Sequence, residues 1–230
     1  MGHSMGATIA PLSLAIEPRL RAVILSGAGG SWIANVIDKK KPVAVRGFAE
    51  ILLKLVTGDY RLHTHDPLLS MLQWAGEAAD PPVYGRMIIA EPPAGSPPRH
   101  VLMLQGIVDH YILPSIANAT TLSFGLDLAG GSLDAVTPEL ASFTTAATVV
   151  PLVGRRSIEL PVAGNLTGPG GEKVTAVVVQ HKEDGVEDGH EVAFQTAAPK
   201  RQYRCFLASL RQGTPVVPTR GGEDDPCEGP

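Results

Sequence analysis

The sequence predicts an α/β protein with a mostly parallel sheet flanked by helices. Short, β-branched apolar runs occur without polar alternation, as expected for strands that are covered on both faces. These runs alternate with longer segments of helical periodicity, which is typical of a parallel sheet between layers of helices. The chain has 230 residues, of which 44% are hydrophobic, so it is long enough to bury the core of one domain.

The first half of the chain contains a buried helix, a strand and a helical region. Small and apolar residues predict a helix over residues 4–16, which Pro18 ends because the residue before a proline avoids the helical region. The run "RAVILSGAGG" at 21–30 predicts a parallel strand. Residues 31–98 show helical periodicity and then become Pro-rich, so we expect cap-like helices and loops over an edge of the sheet.

The second half contains three more strand patterns, a helix and a tail. The strand patterns lie at 100–114, 155–165 and 172–180. Gly106 marks the end of the first of them. Helical periodicity returns from 192 to 213, and the Pro-, Gly- and acid-rich residues 214–230 predict a disordered tail.

Charge and hydropathy exclude several classes of partner. The formal net charge is −4 and the 19 Lys and Arg residues are scattered, so no basic face is predicted and we expect no nucleic-acid partner. No apolar run reaches the roughly 18–20 residues of a bilayer span, so we expect no transmembrane segment. Cys205 and Cys227 can be free thiols or one disulfide, which leaves the compartment undecided.

The pattern Gly-x-Ser-x-Gly at Gly2–Gly6 is typical of a nucleophile elbow, a sharp turn from a strand to a helix that exposes the serine. Small residues flank the serine because the turn leaves little room for Cβ atoms. The turn also directs the backbone N–H of Met5 to the position where a carbonyl oxygen would become anionic. Ser4 is therefore a candidate nucleophile, although a short match of this kind also occurs in ordinary turns.

A serine nucleophile requires a base, and the base requires an acid that fixes its tautomer. Asp109 follows the strand that ends at Gly106, and His190 lies in a glycine-containing acidic loop before the final helix. Both residues also have ordinary interpretations, as a solvated turn aspartate and a surface histidine. The order Ser4, Asp109, His190, each after a strand, favours a catalytic triad.

From Gly2 to about Gly213 the chain resembles the C-terminal half of an α/β-hydrolase fold enzyme of the lipase and esterase type. The elbow "GHSMGA", the acid loop at Gly106–Asp109 and the histidine loop at Gly189–His190 carry the resemblance. It implies a serine hydrolase that acts on small-molecule or lipid esters and needs neither a metal nor an organic cofactor. The acid and the histidine lie farther apart than in compact members, so residues 115–172 are expected to hold an insertion.

The resemblance also implies a central strand before the elbow and further strands upstream, and these central and N-terminal strands are missing before Gly2. Two explanations stay open: a start assigned too far downstream, or a truncated and inactive α/β-hydrolase remnant. An acyltransferase or a peptidase of the same fold is a further alternative, because both also form an acyl-enzyme. The sequence does not identify the acyl or alcohol group or the oligomeric state.

Several other residues have competing interpretations. His181 is the second candidate for the base, but its place at a strand end favours a structural role. His63 and His65 resemble a metal cluster, but a loop before a helix capped by Asp66 is favoured because no further ligands accompany them. Four apolar residues either line an acyl cleft or pack in the core, and core packing is favoured for them; they are Trp32, Phe48, Leu52 and Trp74.

Overall fold

A six-stranded parallel sheet lies at the centre of the computed structural model, which describes residues 1–183, 185 and 188–229. The strands are β1 (Gly2–His3), β2 (Ala22–Ser26), β3 (His100–Ile107), β4 (Asp127–Ala129), β5 (Ser157–Ile158), β6 (Val162–Ala163), β7 (Leu166–Thr167), β8 (Lys173–Val174), β9 (Ala176–Lys182) and β10 (Val216–Val217). Their order in the main sheet is β1-β2-β3-β9-β4-β5, and every neighbouring pair is parallel. The predicted α/β class with a parallel sheet is confirmed.

Helices cover both faces of this sheet. The α-helices of the described residues are α1 (Met5–Ile16), α2 (Trp32–Asp38), α3 (Val45–Thr57), α4 (Pro67–Gly76), α5 (Pro81–Ile88), α6 (Pro114–Phe124), α7 (Ala146–Val149), α8 (Val192–Gln195) and α9 (Ala197–Leu210). The helix predicted over 4–16 corresponds to α1, which ends before Pro18 as expected. The two antiparallel pairs β6–β10 and β7–β8 lie outside the main sheet.

Alternate side chains of the central strands point into two separate cores. Met103 and Val178 join a core with residues of α1, α5 and α6 on one face. Leu104 and Val179 join a second core with Ala193 of α8 and residues of α9 on the other face. Because successive strand residues point to opposite faces, strands without polar alternation are expected when both faces are covered.

Helices α2, α3 and α4 form a small unit that we call the helical cap. Its buried core consists of Val36, Leu62 and Leu69. Asp66 caps α4 by accepting a hydrogen bond from the backbone N–H of Leu68, as the sequence predicts. The segment expected to be cap-like, 31–98, is nevertheless divided, because α5 packs against α1 and α6 in the layer that flanks the sheet.

The prediction of core packing for the apolar residues of the cap is wrong. Trp74 is 77% exposed and Phe48 is 61% exposed, and Leu52 and Trp32 are exposed as well. The residues of α3 that pack inward are on its other side, and Leu53 is one of them. Helical periodicity shows that apolar residues share a face, but it does not show that another element covers that face.

Residues 115–172, expected to be an insertion, include most of α6 and contribute two strands to the main sheet. Strand β4 pairs with β9, and β5 pairs with β4 at the edge. Between β4 and β5 the chain forms α7 and short 3₁₀ turns. The segment therefore extends the sheet beyond the strand that precedes the histidine loop.

The predicted disordered tail, residues 214–230, is wrong for the part that the structure describes, which ends at Gly229. Strand β10 pairs with β6, and a disulfide joins Cys205 on α9 to Cys227 with a Cα–Cα distance of 5.4 Å. The buried guanidinium of Arg201 donates to the backbone carbonyl of Thr219. The acid-rich composition predicted disorder because the covalent and hydrogen-bonded links to α9 cannot be seen in composition.

Within residues 1–183, 185 and 188–229, none of the helices has both the length and the apolar character needed to cross a bilayer. This agrees with the sequence, in which the apolar runs are short.

Candidate active site

Ser4 lies on the turn between β1 and α1, at the carboxyl end of the sheet. Strand β1 pairs with the last residues of β2, and the Ser4 backbone N–H donates to the Ser26 carbonyl at 2.9 Å. Ser4 has φ 52° and ψ −118°, a conformation that L-residues rarely adopt. Strained conformations of this kind concentrate at functional sites, where the surrounding structure holds them.

The two glycines of the elbow differ in what surrounds them. A Cβ atom on Gly2 would lie 2.5 Å from the carbonyl oxygen of Gly6, so the turn has no space for a side chain there. A Cβ atom on Gly6 would meet nothing within 4 Å. The expectation that the turn excludes side chains on both sides of Ser4 is therefore correct for Gly2 and wrong for Gly6.

Asp109 and His190 form a buried pair. Asp109 Oδ2 lies 2.9 Å from His190 Nδ1, and both side chains are almost completely buried. The other carboxylate oxygen of Asp109 accepts hydrogen bonds from the backbone N–H groups of Tyr111 and Ile112, at 2.7 and 2.8 Å. With both oxygens bonded, the carboxylate has a fixed orientation and directs Nδ1 of the imidazole toward itself.

Backbone contacts between glycines bring the acid loop and the histidine loop together. A Cβ atom on Gly106 would lie 1.6 Å from the carbonyl oxygen of Gly189. The Gly189 N–H donates to the carbonyl of Val108 at 2.8 Å. This crossing requires the absence of side chains, and it holds Asp109 and His190 at hydrogen-bonding distance.

His190 also lies close to the elbow. Its ring centroid is 4.8 Å from that of His3 and 4.5 Å from that of Tyr111, which stacks on it. On another side, a Cβ atom on Gly27 would lie 2.6 Å from Cε1 of the imidazole. The structure brings the acid and the histidine into contact. Among the described residues, the Ser4 hydroxyl forms no hydrogen bond to the imidazole, and the elbow reaches His190 through the ring of His3.

The second predicted element of the elbow, the backbone N–H of Met5, belongs to the first turn of α1. Ser4 is the N-cap of this helix, and its carbonyl accepts from Ala7 and Thr8. The N–H groups of a first helical turn have no partner inside the helix and carry a partial positive charge. The Met5 N–H is therefore able to stabilise an anionic oxygen next to Ser4.

A cleft of about 430 Å³ opens beside Ser4. Its wall includes Met5, Trp32, Pro81 and Ile112, with Tyr111 at the side of the histidine. Trp32 thus lines a cleft between the elbow and the cap, whereas the sequence favoured core packing for this residue. The apolar wall is suited to an acyl chain or another apolar group.

Hydrogen bonds to the carboxylate of Asp188, which the sequence did not predict, hold the histidine loop in place. The buried carboxylate of Asp188 accepts from the backbone N–H groups of His190 and His110, both at 3.1 Å, and from Lys41 Nζ at 2.9 Å. Burial raises the pKa of Asp188, but these bonds together hold it below the ordinary value. Because Lys41 lies between α2 and α3, its bond to Asp188 also joins the histidine loop to the helical cap.

His3 and Glu191 are neighbours of the candidate base that were not predicted as site residues. His3 Nε2 lies 3.7 Å from Glu191 Oε2, and His3 Nδ1 lies 3.3 Å from the Ser26 hydroxyl. Burial is the largest cause that lowers the pKa of His3, and the nearby His190 lowers it further. The adjacency of each residue to Ser4 or His190 in the sequence was a signal that could have identified it.

The second candidate for the base lies elsewhere. His181 is buried at the end of β9 and lines a different cavity, with Arg220 and Leu133. Burial and then the charge of Arg220 lower its pKa to about 3. Its predicted structural role agrees with this burial.

Asp109 and His190 are in hydrogen-bonding contact, and Ser4 lies on the elbow turn at the same edge of the sheet. No family model matches the chain, and comparisons with curated proteins and with solved structures found no match either. The elements that carry these three residues are β1, β3 and β9, whose carboxyl ends share one edge of the sheet.

Proposed function

We propose that the protein is a serine hydrolase that cleaves carboxylic esters through an acyl-enzyme on Ser4. The observation that carries the proposal is the buried Asp109–His190 pair beside a serine with a strained elbow conformation. The serine, the acid and the histidine follow β1, β3 and β9, in the chain order that the α/β-hydrolase resemblance implies. We include in the proposal that the sheet corresponds to the C-terminal half of that fold.

In the proposed reaction, His190 Nε2 accepts the proton of the Ser4 hydroxyl while Oγ attacks the ester carbonyl. Asp109 holds Nδ1–H, so the lone pair of the neutral imidazole is on Nε2, and the carboxylate stabilises the imidazolium that forms. The Met5 N–H donates to the carbonyl oxygen as it becomes anionic. The tetrahedral intermediate then expels the alcohol, which takes the proton from His190.

The second half of the reaction releases the acid. Water gives a proton to His190 as its oxygen attacks the acyl carbon, and the intermediate expels Ser4, which recovers its proton. Ser4 and His190 are not hydrogen-bonded in the free protein, and such bonds are often long until substrate binds. The proposed reaction therefore requires the Ser4 hydroxyl and His190 Nε2 to come within hydrogen-bonding distance when substrate binds.

The cleft supports an ester with an apolar acyl group. Trp32, Pro81 and Ile112 contribute an apolar wall next to Ser4. A cleft of about 430 Å³ accommodates a small ligand rather than a folded chain. Small-molecule or lipid esters are therefore the proposed substrates, in preference to proteins.

Labelling with a fluorophosphonate probe tests the proposal, since the probe reacts with an activated serine. We expect the wild-type protein to be labelled at Ser4 and to hydrolyse p-nitrophenyl esters, and Ser4→Ala to lose both properties. The matched control is Ser142→Ala, which removes the hydroxyl of an exposed serine and should behave as wild type. Folded wild-type protein that stays unlabelled would instead favour an inactive remnant.

Product analysis separates hydrolysis from acyl transfer. In the presence of an added alcohol, a hydrolase yields mainly the free acid, whereas an acyltransferase yields mainly the new ester. Both reactions need the acyl-enzyme on Ser4, so both should be absent in Ser4→Ala.

A further inference from the structure

Three side chains beside the proposed nucleophile form a group of potential metal ligands that the ester chemistry does not use as a unit. They are His3, His190 and Glu191, and one ligand atom from each lies within 4.8 Å of the others. His3 Nε2 and Glu191 Oε2 are 3.7 Å apart. The group combines two segments far apart in sequence, the elbow and the histidine loop.

Each imidazole is oriented by a bond at its Nδ1 atom. His190 Nδ1 lies 2.9 Å from Asp109 Oδ2, and His3 Nδ1 lies 3.3 Å from the hydroxyl of Ser26. These bonds leave Nε2 of both rings available. Metal-binding histidines commonly have this arrangement, in which the second nitrogen bonds to a carboxylate or another oxygen that fixes the ring.

The ligand set indicates which cations fit. Two imidazole nitrogens and one carboxylate oxygen are the ligands of many zinc sites, with a water molecule in the fourth position. Magnesium and calcium prefer oxygen ligands throughout, so they fit poorly. The group therefore matches a borderline divalent cation of the zinc type.

Only a small adjustment separates the present geometry from coordination. Zinc–nitrogen and zinc–oxygen distances of about 2.0–2.2 Å correspond to ligand atoms roughly 3.3 Å apart in a tetrahedral site. The Glu191 side chain is 37% exposed, so it is free to approach the rings, whereas His190 is fixed by Asp109 and by the stacked Tyr111.

We propose that His3, His190 and Glu191 bind a zinc-type divalent cation, and that the bound cation inhibits the enzyme by occupying the nitrogen that would accept the Ser4 proton. Binding forms bonds from the metal to His3 Nε2, His190 Nε2 and a Glu191 oxygen, and it releases water from the ion. The binding site is independent of the proposed function, but the inhibition rests on it. The cation is thus a reversible regulator rather than a cofactor.

Isothermal titration of the full chain with Zn²⁺ tests the site directly. We expect one Zn²⁺ ion per chain in the wild type, and an affinity at least about tenfold lower in Glu191→Gln and in His3→Asn. The double variant His63→Asn/His65→Asn is the control, because it removes an exposed histidine pair outside the group and should retain the wild-type affinity. Circular dichroism shows whether each variant is folded.

Unchanged affinity in folded Glu191→Gln and His3→Asn, or no Zn²⁺ binding by the wild type, would overturn the site. Substitution of Ser4 by Ala should leave the affinity as it is, which separates the site from the proposed chemistry. Binding of Zn²⁺ by a protein without esterase activity would overturn the inhibition and the proposed function but retain the site. An active esterase that binds no Zn²⁺ would overturn the site and the inhibition but leave the proposed function intact.

Discussion

The conformation of Ser4 shows how far a local pattern determines a site. Five residues with a Gly-x-Ser-x-Gly pattern predicted the turn, because the constraint is local and acts on the backbone. The bonds of Asp188 to Lys41 and His110 could not be predicted in the same way. They join residues from distant segments, and single polar residues in loops have no periodicity that indicates which partner they will meet.

The space around the two elbow glycines leads to opposite expectations for the same substitution. Gly2→Ala forces a Cβ atom against the Gly6 carbonyl, so we expect a loss of about 1–3 kcal/mol in the free energy of unfolding, as in overpacked sites. Gly6→Ala places a methyl group in open space within α1, so a gain of about 0.5–1 kcal/mol is expected. Urea denaturation of both variants measures the difference, and equal effects would contradict this account of the turn.

Asp109→Asn tests the role of the carboxylate in fixing the histidine tautomer. The Asn carbonyl can still accept from the N–H groups of Tyr111 and Ile112, but its NH₂ group then faces His190 Nδ1. This favours a proton on Nε2, the wrong nitrogen for a base, so we expect kcat to fall by about 10³–10⁴-fold. Steady-state ester hydrolysis measures this loss.

The exposed Asp59 provides the control for that measurement. Asp59→Asn removes a carboxylate from the helical cap, where it pairs with Lys54, and it should leave kcat unchanged. Hydrolysis by Asp109→Asn at the wild-type rate, in a protein with the wild-type circular dichroism spectrum, would show that Asp109 does not orient the base.

At the level of elements, the sequence predicted the strands that are covered on both faces. Strands β2 and β3 lie within the predicted runs and β9 overlaps the run predicted at 172–180, because four or more buried residues give a clear apolar signal. Strand β4 has only three residues and begins with a buried aspartate, so it was not predicted. Its place in the sheet depends on pairing with β9, which is a long-range contact.

The two faces of α4 provide a test of the cap structure. Leu69 is buried in the core of the cap, so Leu69→Ala should lower the free energy of unfolding by about 2–5 kcal/mol if the cap unfolds with the domain. Met71 lies on the exposed face of the same helix, and Met71→Ala should change it by less than about 0.5 kcal/mol. Chemical denaturation of both variants provides the comparison. A larger loss for Met71→Ala would mean that another surface covers this face.

At the scale of the whole molecule, the candidate site lies where the loops that follow several parallel strands meet. Ser4, Asp109 and His190 lie at the carboxyl edge of the sheet, and glycine contacts allow the loops to approach closely. The sequence predicted this convergence because parallel strands fix the edge at which their loops meet. It did not predict the ordered tail, since the disulfide between Cys205 and Cys227 was one of two alternatives.

Two histidines of the sheet, His181 buried and His100 half-buried, make the stability of the whole domain depend on pH. Burial lowers the pKa of His181 to about 3 and that of His100 to about 4, from 6.5. His100 Nδ1 accepts a hydrogen bond from the Thr175 N–H at 3.0 Å, which requires the unprotonated nitrogen. In the unfolded chain both histidines bind protons near pH 6.5, so protonation favours unfolding below that pH.

The stability that depends on these groups is fully present above pH 6.5 and is lost as the pH falls toward the folded pKa values. Each group contributes a slope of up to roughly 1.4 kcal/mol per pH unit between its two pKa values. Substitution of His181 by Gln should remove its share of the slope down to about pH 3, whereas substitution of His100 by Gln should remove it only down to about pH 4. Urea denaturation from pH 7 to pH 3 measures the slopes, and the two variants should differ below about pH 4. Parallel profiles for wild type and His181→Gln would mean that His181 takes up its proton in the folded state as readily as in the unfolded chain.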